Sequence, residues 1–304
     1  MDDELNITYI TLGGYVEMGN YRYLYFFIMF IVYILAMTFS STIVYLIGIH
    51  KNLHEPMYIF IAALLLNSIV YNTVMYPKLL SDFLSEKQIV SYSACLFQYF
   101  VYYTLSASDF FLLAAMAYDR FVSICKPLQY PTIMSQTTVS IILFLSWLVP
   151  VCEFGANTIA MSKNKLCNLN LKNVFCNNSI YKLFCVRSIA LTVFDGFALL
   201  NMVLLPLLFI LFTYARILII SYRSGKNVRK KAAQTCLPHL IVLICFSCLC
   251  AYDAIIIQLE SDLHFIMTLQ AFLYYPLFNP VIYGLKMKEI FKHLKRLFSQ
   301  AKVK

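Results

Sequence analysis

Long apolar runs, each close to 20 residues or longer and separated by short polar stretches, recur along this chain of 304 residues. A helix needs about 20 apolar residues to cross a bilayer core, so these runs predict membrane-spanning helices. The predicted spans are residues 24–49, 58–76, 92–118, 138–161, 189–222, 229–257 and 263–285. A last stretch, 288–298, is amphipathic and basic, which is typical of a helix lying on a membrane surface. The pattern predicts an all-α membrane protein, a seven-transmembrane helix bundle with a short amphipathic eighth helix.

Seven spans and short loops use nearly the whole length, so a single domain covering residues 1–304 is expected. It divides into an outer N-terminus (1–22), the helix bundle (23–285) and a tail (286–304). The N-terminus lacks the basic start and small-residue cleavage site of a signal peptide, so the first span is expected to serve as an uncleaved signal anchor. Composition agrees, because 61% hydrophobic residues and a mean hydropathy of +0.73 are too apolar for a soluble domain.

Basic residues determine the expected orientation. The loops after the first, third and fifth spans, with the adjoining helix ends and the tail, hold sixteen of the 24 Lys and Arg residues and three of the 15 acidic ones. The inner side therefore carries +13 and the rest of the chain −4, which predicts an extracellular N-terminus and a cytoplasmic C-terminus at the plasma membrane. Lipid headgroups and a cytosolic partner explain these charges better than nucleic acid does. Asn6, in the sequon Asn6-Ile-Thr8, is then a glycosylation candidate.

The third span places three polar side chains along one face. Tyr102 lies eighteen residues before Arg120, which is five whole turns and roughly 27 Å of helix, and Asp109 falls about 20° off the same line. This stripe predicts a connection between the outer and inner sides of the membrane. The alternative is that the Asp119–Arg120 pair only anchors the helix end in the interface.

Four of the ten cysteines, Cys95, Cys167, Cys176 and Cys185, fall on the outer side. An even set in an oxidising compartment predicts disulfides, and four cysteines allow three pairings. The other six lie in helices or face the cytosol, where a buried thiol is usually a small apolar side chain. No Cys/His cluster has metal-ligand spacing, so no metal site or cofactor is predicted from this group.

Four motifs occur in order along the chain: LHEPMY at 53–58, MAYDRFVSICKPLQY at 116–130, KAAQTCLPHL at 231–240 and PLFNPVIY at 276–283. In type, order and spacing they resemble the motifs of olfactory receptors, the odorant-sensing branch of the rhodopsin-like G-protein-coupled receptors, and the fish-type receptors in particular. The resemblance implies a receptor, not an enzyme, that binds a small-molecule odorant in the outer half of the bundle. It also implies activation of a heterotrimeric G protein of the olfactory stimulatory type, which raises cAMP.

The resemblance further implies site residues. It suggests that Cys95 pairs with Cys176 and Cys167 with Cys185. Family pocket positions and helix periodicity place ten residues around one ligand cavity: Tyr102, Tyr103, Ser106, Phe110, Asp195, Ala198, Leu199, Cys250, Ala254 and Phe272. Activation in such receptors swings the sixth helix outward while the third-helix arginine leaves its neighbouring acid. The residues that match this machinery are Asp119, Arg120, Tyr214, His239, Asn279, Pro280 and Tyr283.

Three positions depart from the family pattern. Ser40 stands where the family usually has Asn, and Asn67 where rhodopsin-like receptors usually have an Asp that helps to hold sodium. Asp109 occupies a position that is often Glu in olfactory receptors. A sodium site among Asn67, Asp109 and Asn279 would keep a single carboxylate, so the sequence leaves it open.

Three carboxylates, Glu153, Asp195 and Asp253, fall in the outer parts of the fourth to sixth spans. One interpretation is structural: Asp253 is solvated, and Asp195 pairs with a loop base such as Arg187 or Lys182. The other is that Asp195 attracts a cationic or strongly polar ligand.

Membrane-embedded carboxylates also suggest a different class of protein. Asp109, Glu153 and Asp195 could mark the ion path of a transporter or channel. Against this, the chain has no internal repeat and no paired broken helices. An intramembrane enzyme is not indicated, because no nucleophile and base stand at usable spacing.

Overall fold

The computed structural model describes residues 8–15, 21–186, 188–223, 236–237, 239–248, 251 and 264–301. Its helices are α1 Arg22–Ile49, α2 Pro56–Leu84, α3 Tyr92–Cys125, α4 Gln136–Ser162, α5 Ile189–Arg223, α6 His239–Cys248, α7 His264–Lys286 and α8 Lys288–Ala301. A helical turn, Tyr130–Ile133, connects α3 to α4. The strands are β1 Tyr9–Leu12, β2 Ile89–Ser91 and β3 Asn170–Leu171.

Helices α1 to α5 are each long and apolar enough to cross a membrane, judged by length and composition over the described ranges. Helices α6 and α7 stand at the places of the sixth and seventh predicted spans, and α8 at the place of the amphipathic stretch. Residues 229–235, 238, 249–250 and 252–257 of the sixth predicted span lie outside the described residues. The helical membrane bundle expected from the apolar runs is confirmed.

Two helices extend by seven or more residues beyond their predicted ends. The apolar pattern predicts that the second span ends at residue 76, before Pro77, but α2 continues through this proline to Leu84. Neighbouring helices in a bundle can satisfy the carbonyl that a proline leaves free, which is why the break did not occur. Helix α3 likewise continues past Asp119 and Arg120, whose side chains bind each other, and ends at Cys125.

Burial separates central helices from peripheral ones. In the most apolar 18-residue stretches of α2 and α3, 56% and 61% of the residues are buried, against 22–28% in α1, α4 and α5. Large apolar side chains are exposed on the outer helices, for example Phe27, Phe144 and Phe212. Such extensive apolar exposure suits a lipid environment and not water. Helices α2 and α3 are therefore central in the bundle, and α1, α4 and α5 are peripheral.

The loops at the end of the bundle predicted to face outward, called the outer end below and the opposite end the inner end, are joined by a sheet and two disulfides. The strand order is β2-β1-β3, with β1 antiparallel to β2 and parallel to β3. Cys95 at the start of α3 is bonded to Cys176, and Cys167 to Cys185 within the loop between α4 and α5. Of the three possible pairings, this is the one implied by the family resemblance. The first bond ties the loop to the outer end of α3.

Candidate functional site

An aromatic cluster occupies the outer part of the bundle between α2, α3 and α7. The ring of Phe175, from the loop between α4 and α5, lies 4.8 Å from Tyr102 and 5.2 Å from Phe272, measured between ring centroids. Tyr71 on α2 lies 6.0 Å from Tyr102 and 6.4 Å from Phe272. The structure thus brings together the predicted residues Tyr102 and Phe272. Sequence reasoning missed Phe175 and Tyr71, and the only signal for Phe175 was its place beside Cys176.

A second group faces α4 and α5. Tyr103 packs 5.7 Å from Phe154 and 4.6 Å from Tyr99, and its hydroxyl accepts a hydrogen bond of 3.1 Å from the backbone N–H of Asn178. Ala198 is buried in the same apolar cluster as Phe154. Tyr103 and Ala198 therefore line the α4–α5 side of α3, whereas Tyr102 faces α2 and α7.

The remaining predicted ligand residues do not all join these groups. Phe110 is buried deeper, 4.6 Å from Phe246, and Ser106 is half-buried between the two levels. Leu199 is 52% exposed on the outside of the bundle, so its placement in the cavity was wrong. Ala198 and Leu199 are neighbours and lie about 100° apart around the helix, and of the two only Ala198, 5% exposed, faces inward. Cys250 and Ala254 lie outside the described residues.

Asp195 is held by a hydrogen-bonded network. The Tyr181 hydroxyl donates to Asp195 Oδ1 over 2.8 Å, and the Asn157 amide donates to Tyr181 at 3.1 Å and to Tyr99 at 2.9 Å. Burial, and then the Asp195 charge, raises the pKa of Tyr181, so this hydroxyl stays protonated and able to donate. The loop partner expected for Asp195 was a base, and the partner seen here is a phenol.

The other outer carboxylates show no comparable hydrogen-bonded network in the described part of the chain. One oxygen of Glu153 is buried and has no hydrogen-bond partner within the described part of the chain. Asp253 and Arg187 both lie outside that part.

Asp109 is buried within the bundle, and both of its carboxylate oxygens accept hydrogen bonds. It accepts a hydrogen bond of 2.6 Å from the Asn67 amide and another from the hydroxyl of Tyr275. The amide oxygen of Asn67 accepts from Trp147 at 3.1 Å. Asn67 therefore presents its amide N–H to Asp109, while its amide oxygen is directed at Trp147.

Of the three candidate sodium ligands, Asp109 and Asn279 line a common cavity and Asn67 does not. Asp109 and Asn279 both line a cavity of about 10 Å³, roughly the space of one water molecule. Asn279, however, donates from its amide to Ser68 at 3.2 Å. Among the described residues, no group of three or more His, Cys, Asp or Glu side chains could hold a metal ion.

At the inner end of α3, Asp119 and Arg120 form an ion pair. Arg120 Nε donates to Asp119 Oδ2 over 2.9 Å, with a further contact from Nη2, and the Tyr130 hydroxyl donates to Asp119 Oδ1 over 2.7 Å. Asp119 is fully buried, so loss of either partner would leave a buried polar group without its hydrogen bond. Burial and the Asp119 carboxylate raise the pKa of Tyr130, which therefore remains a donor. No role was predicted for Tyr130, although it ends the quoted third-helix motif.

Three further residues that the resemblance predicts to take part in activation, Tyr214, His239 and Tyr283, lie near the inner halves of α5, α6 and α7. The Tyr283 hydroxyl lies 3.4 Å from Nδ1 of His239, while the buried Tyr214 hydroxyl has no hydrogen-bond partner in the described ranges. Pro280 is inside α7, one residue after Asn279. A cavity of about 810 Å³ opens between the inner ends of α5 and α6, next to Tyr214.

Comparisons with known proteins agree with this architecture. The family model described as "Olfactory receptor" matches residues 29–301. Olfactory receptor 11A1 of Homo sapiens is 30% identical over 300 residues, covering 96% of this chain and 94% of that protein. Olfactory receptor 2AT4 of Homo sapiens is 31% identical, covering 90% and 88%. Among solved structures, squid rhodopsin superposes with a TM-score of 0.75 at 17% identity, over 92% of this chain and 86% of that one.

Proposed function

This chain belongs to the olfactory receptor family, and we propose that it signals at the plasma membrane through a stimulatory G protein of the olfactory type, raising cAMP. It is an odorant receptor with the fold of the rhodopsin-like G-protein-coupled receptors, and not an enzyme. The observation that carries this conclusion is the family match over residues 29–301. The transporter or channel alternative has no comparable support. Expression with an olfactory-type G protein and a cAMP readout tests the coupling: no cAMP response to any odorant would contradict it.

The proposed odorant site lies under Phe175 and between Tyr102, Tyr103 and Phe272. Apolar and aromatic lining with a few polar groups is usual for small-molecule sites. Ring contacts connect this lining to the polar centre, since Tyr71 lies 4.6 Å from the Tyr275 ring and Tyr275 donates to Asp109. A ligand that displaces Tyr71 would thus alter the partner of a buried carboxylate.

Activation is a shift between two populations. An odorant must bind the active arrangement more tightly, because a ligand with equal affinity for both states changes neither. The Asp119–Arg120–Tyr130 contacts stabilise the arrangement described above, and their loss would free the guanidinium for a G protein. Tyr214 and Tyr283 are the side chains proposed to stabilise the alternative, with His239 near the hinge of α6. The basic helix α8 is proposed to lie on anionic lipid headgroups.

The charge distribution makes a topology test possible. We expect glycan on Asn6, which lies outside the described residues, and a cytosolic tail beyond residue 286. Endoglycosidase should increase the gel mobility of the wild type and leave Asn6→Gln unchanged. Asn177, next to Cys176, is a second sequon and is buried, so Asn177→Gln serves as the matched control and should still shift. Identical mobility of all treated and untreated samples would contradict the orientation.

The chemistry of the odorant can be tested at Asp195. If a cationic group binds there, Asp195→Asn should raise the EC50 of responding alkylamines by about 10- to 100-fold, because a hydrogen bond to a charged group contributes about 1.5–3 kcal/mol. Esters should be unaffected. Glu153→Gln removes another outer carboxylate and is the matched control. A receptor that answers only acids or neutral esters, with Asp195→Asn unchanged, would refute the cationic ligand.

A further inference from the structure

The N-terminal residues 9–15, here called the outer strap, are built into the outer loops. Strand β1 pairs antiparallel with β2, placing Ile10 opposite Val90, and parallel with β3, placing Leu12 opposite Leu171. The side chains of Ile10 and Leu12 are 0% and 2% exposed. The strap is therefore part of the packed core on the outer side, and not a loose terminus.

Tyr15 ends the strap inside the protein. It is 5% exposed, and its ring packs 5.9 Å from Phe83 on α2 and 6.1 Å from Phe265 on α7. Its hydroxyl donates to the backbone oxygen of Val174 over 3.1 Å and lies 3.5 Å from Asp82 Oδ2. Burial, and then Asp82, raises the pKa of Tyr15 well above its usual value, so the hydroxyl remains a donor.

Gly14 brings the strap backbone into direct contact with the same loop. Its N–H donates to the backbone oxygen of Asn173 over 3.2 Å. A Cβ atom at this position would lie 2.4 Å from the Asn173 carbonyl carbon, so any other residue must displace one of the two backbones. Close approach of this kind is a reason for glycine that the sequence alone did not reveal.

These contacts end beside the proposed odorant site. Asn173 and Val174 directly precede Phe175, whose ring covers Tyr102 and Phe272. On the other side of Phe175, Cys176 is bonded to Cys95. Phe175 is thus held from one side by the disulfide and from the other by the strap.

We propose that Gly14 and Tyr15 are positioning residues for the odorant site: the strap fixes Asn173 and Val174 and thereby holds Phe175 over Tyr102 and Phe272. The strap then limits entry from the outer side and determines how tightly an odorant is enclosed. This inference rests on the proposed odorant site, because Phe175 matters for binding only if the odorant lies beneath it.

The first test needs no odorant. Tyr15→Phe keeps the ring and removes the hydroxyl, and Tyr9→Phe makes the same change on β1 at a residue that is 54% exposed. Hydrogen–deuterium exchange of the purified receptor in lipid nanodiscs should be about fivefold faster over residues 173–176 in Tyr15→Phe, the loss expected for one net hydrogen bond. Tyr9→Phe should exchange as the wild type does. Equal rates in both variants would overturn the proposal.

The second test measures entry. Ser106→Cys places a thiol below Tyr102, and its reaction with methanethiosulfonate ethylammonium is compared with the same receptor lacking this substitution. When added to the Ser106→Cys receptor, Gly14→Ala or Tyr15→Phe should make labelling of the new thiol several-fold faster than Tyr9→Phe does. Equal labelling rates would contradict control of entry by the strap.

The third test uses butylamine, butyric acid, L-alanine and ethyl butyrate with a cAMP readout. For each probe that activates the wild type, Tyr15→Phe should raise EC50 several-fold with unchanged maximal response and surface level; an unchanged EC50 would overturn the positioning role. If exchange and labelling respond to Tyr15→Phe while neither these probes nor a wider odorant panel raises cAMP, the positioning of the loop stands and the proposed cAMP signalling fails.

Discussion

Replacing Cys95 or Cys176 with serine is expected to abolish the odorant response and most of the surface expression. The bond between them closes a loop of 81 residues and attaches the segment with Phe175 to α3. Loss of a native disulfide costs about 2–5 kcal/mol in small secreted domains, which is comparable to the whole stability of many proteins. Surface immunostaining and cAMP measured on the same cells give the two readouts.

Two control variants distinguish the loss of the disulfide bond from the loss of a cysteine thiol as such. Cys152 is a free, exposed cysteine on α4, so Cys152→Ser should behave as the wild type. The double variant Cys95→Ser with Cys176→Ser leaves no unpaired partner and should be as defective as either single variant. The Cys167–Cys185 bond spans 18 residues and should matter less, by about 1 kcal/mol of loop entropy. Normal surface level and response in both single variants would refute a structural role for Cys95–Cys176.

Arg120→Ala is expected to reach the cell surface and to raise no cAMP with any odorant. Its side chain is largely buried and binds only its neighbour Asp119 in the contacts described above, so the fold loses one ion pair. Signalling loses the cation proposed to meet the G protein. Arg120→Lys should also signal poorly, because an ammonium cannot reproduce the fork of N–H donors. Full signalling by Arg120→Lys with unaltered potency would favour a simple interfacial anchor.

Variants of Asp119 and Tyr130, which belong to the same set of contacts, are expected to raise signalling instead of abolishing it. Asp119→Asn removes the charge that holds Arg120 and should raise cAMP without odorant. Tyr130→Phe removes one hydrogen bond to Asp119 and should raise it less, because a net hydrogen bond contributes about 1 kcal/mol. Tyr45→Phe, at an exposed residue of α1, is the matched control for loss of a phenol. Basal cAMP equal to the wild type in Asp119→Asn would count against the ion pair as a restraint on activation.

Sequence patterns determined the architecture and the family of this protein. Apolar runs of bilayer length predict spanning helices because lipid offers no partner for backbone N–H and C=O groups, so each crossing must satisfy its own. The family motifs near Arg120 and Tyr283 then indicated the receptor class and the disulfide pairing that the structure contains. These features depend on local composition and spacing, which the sequence displays directly.

Tertiary structure decided which side chains meet. Phe175 covers Tyr102 because a disulfide and the outer strap bring a distant loop to α3, and no periodicity predicts contacts across such separations. Leu199 was misplaced because it lies about 100° around the helix from Ala198, and packing buries Ala198 but leaves Leu199 exposed. Tyr15 and Gly14 carried no recognisable signal, since their importance comes entirely from the atoms they contact. Helical position follows from local backbone geometry, whereas a binding site requires several elements to be packed at once.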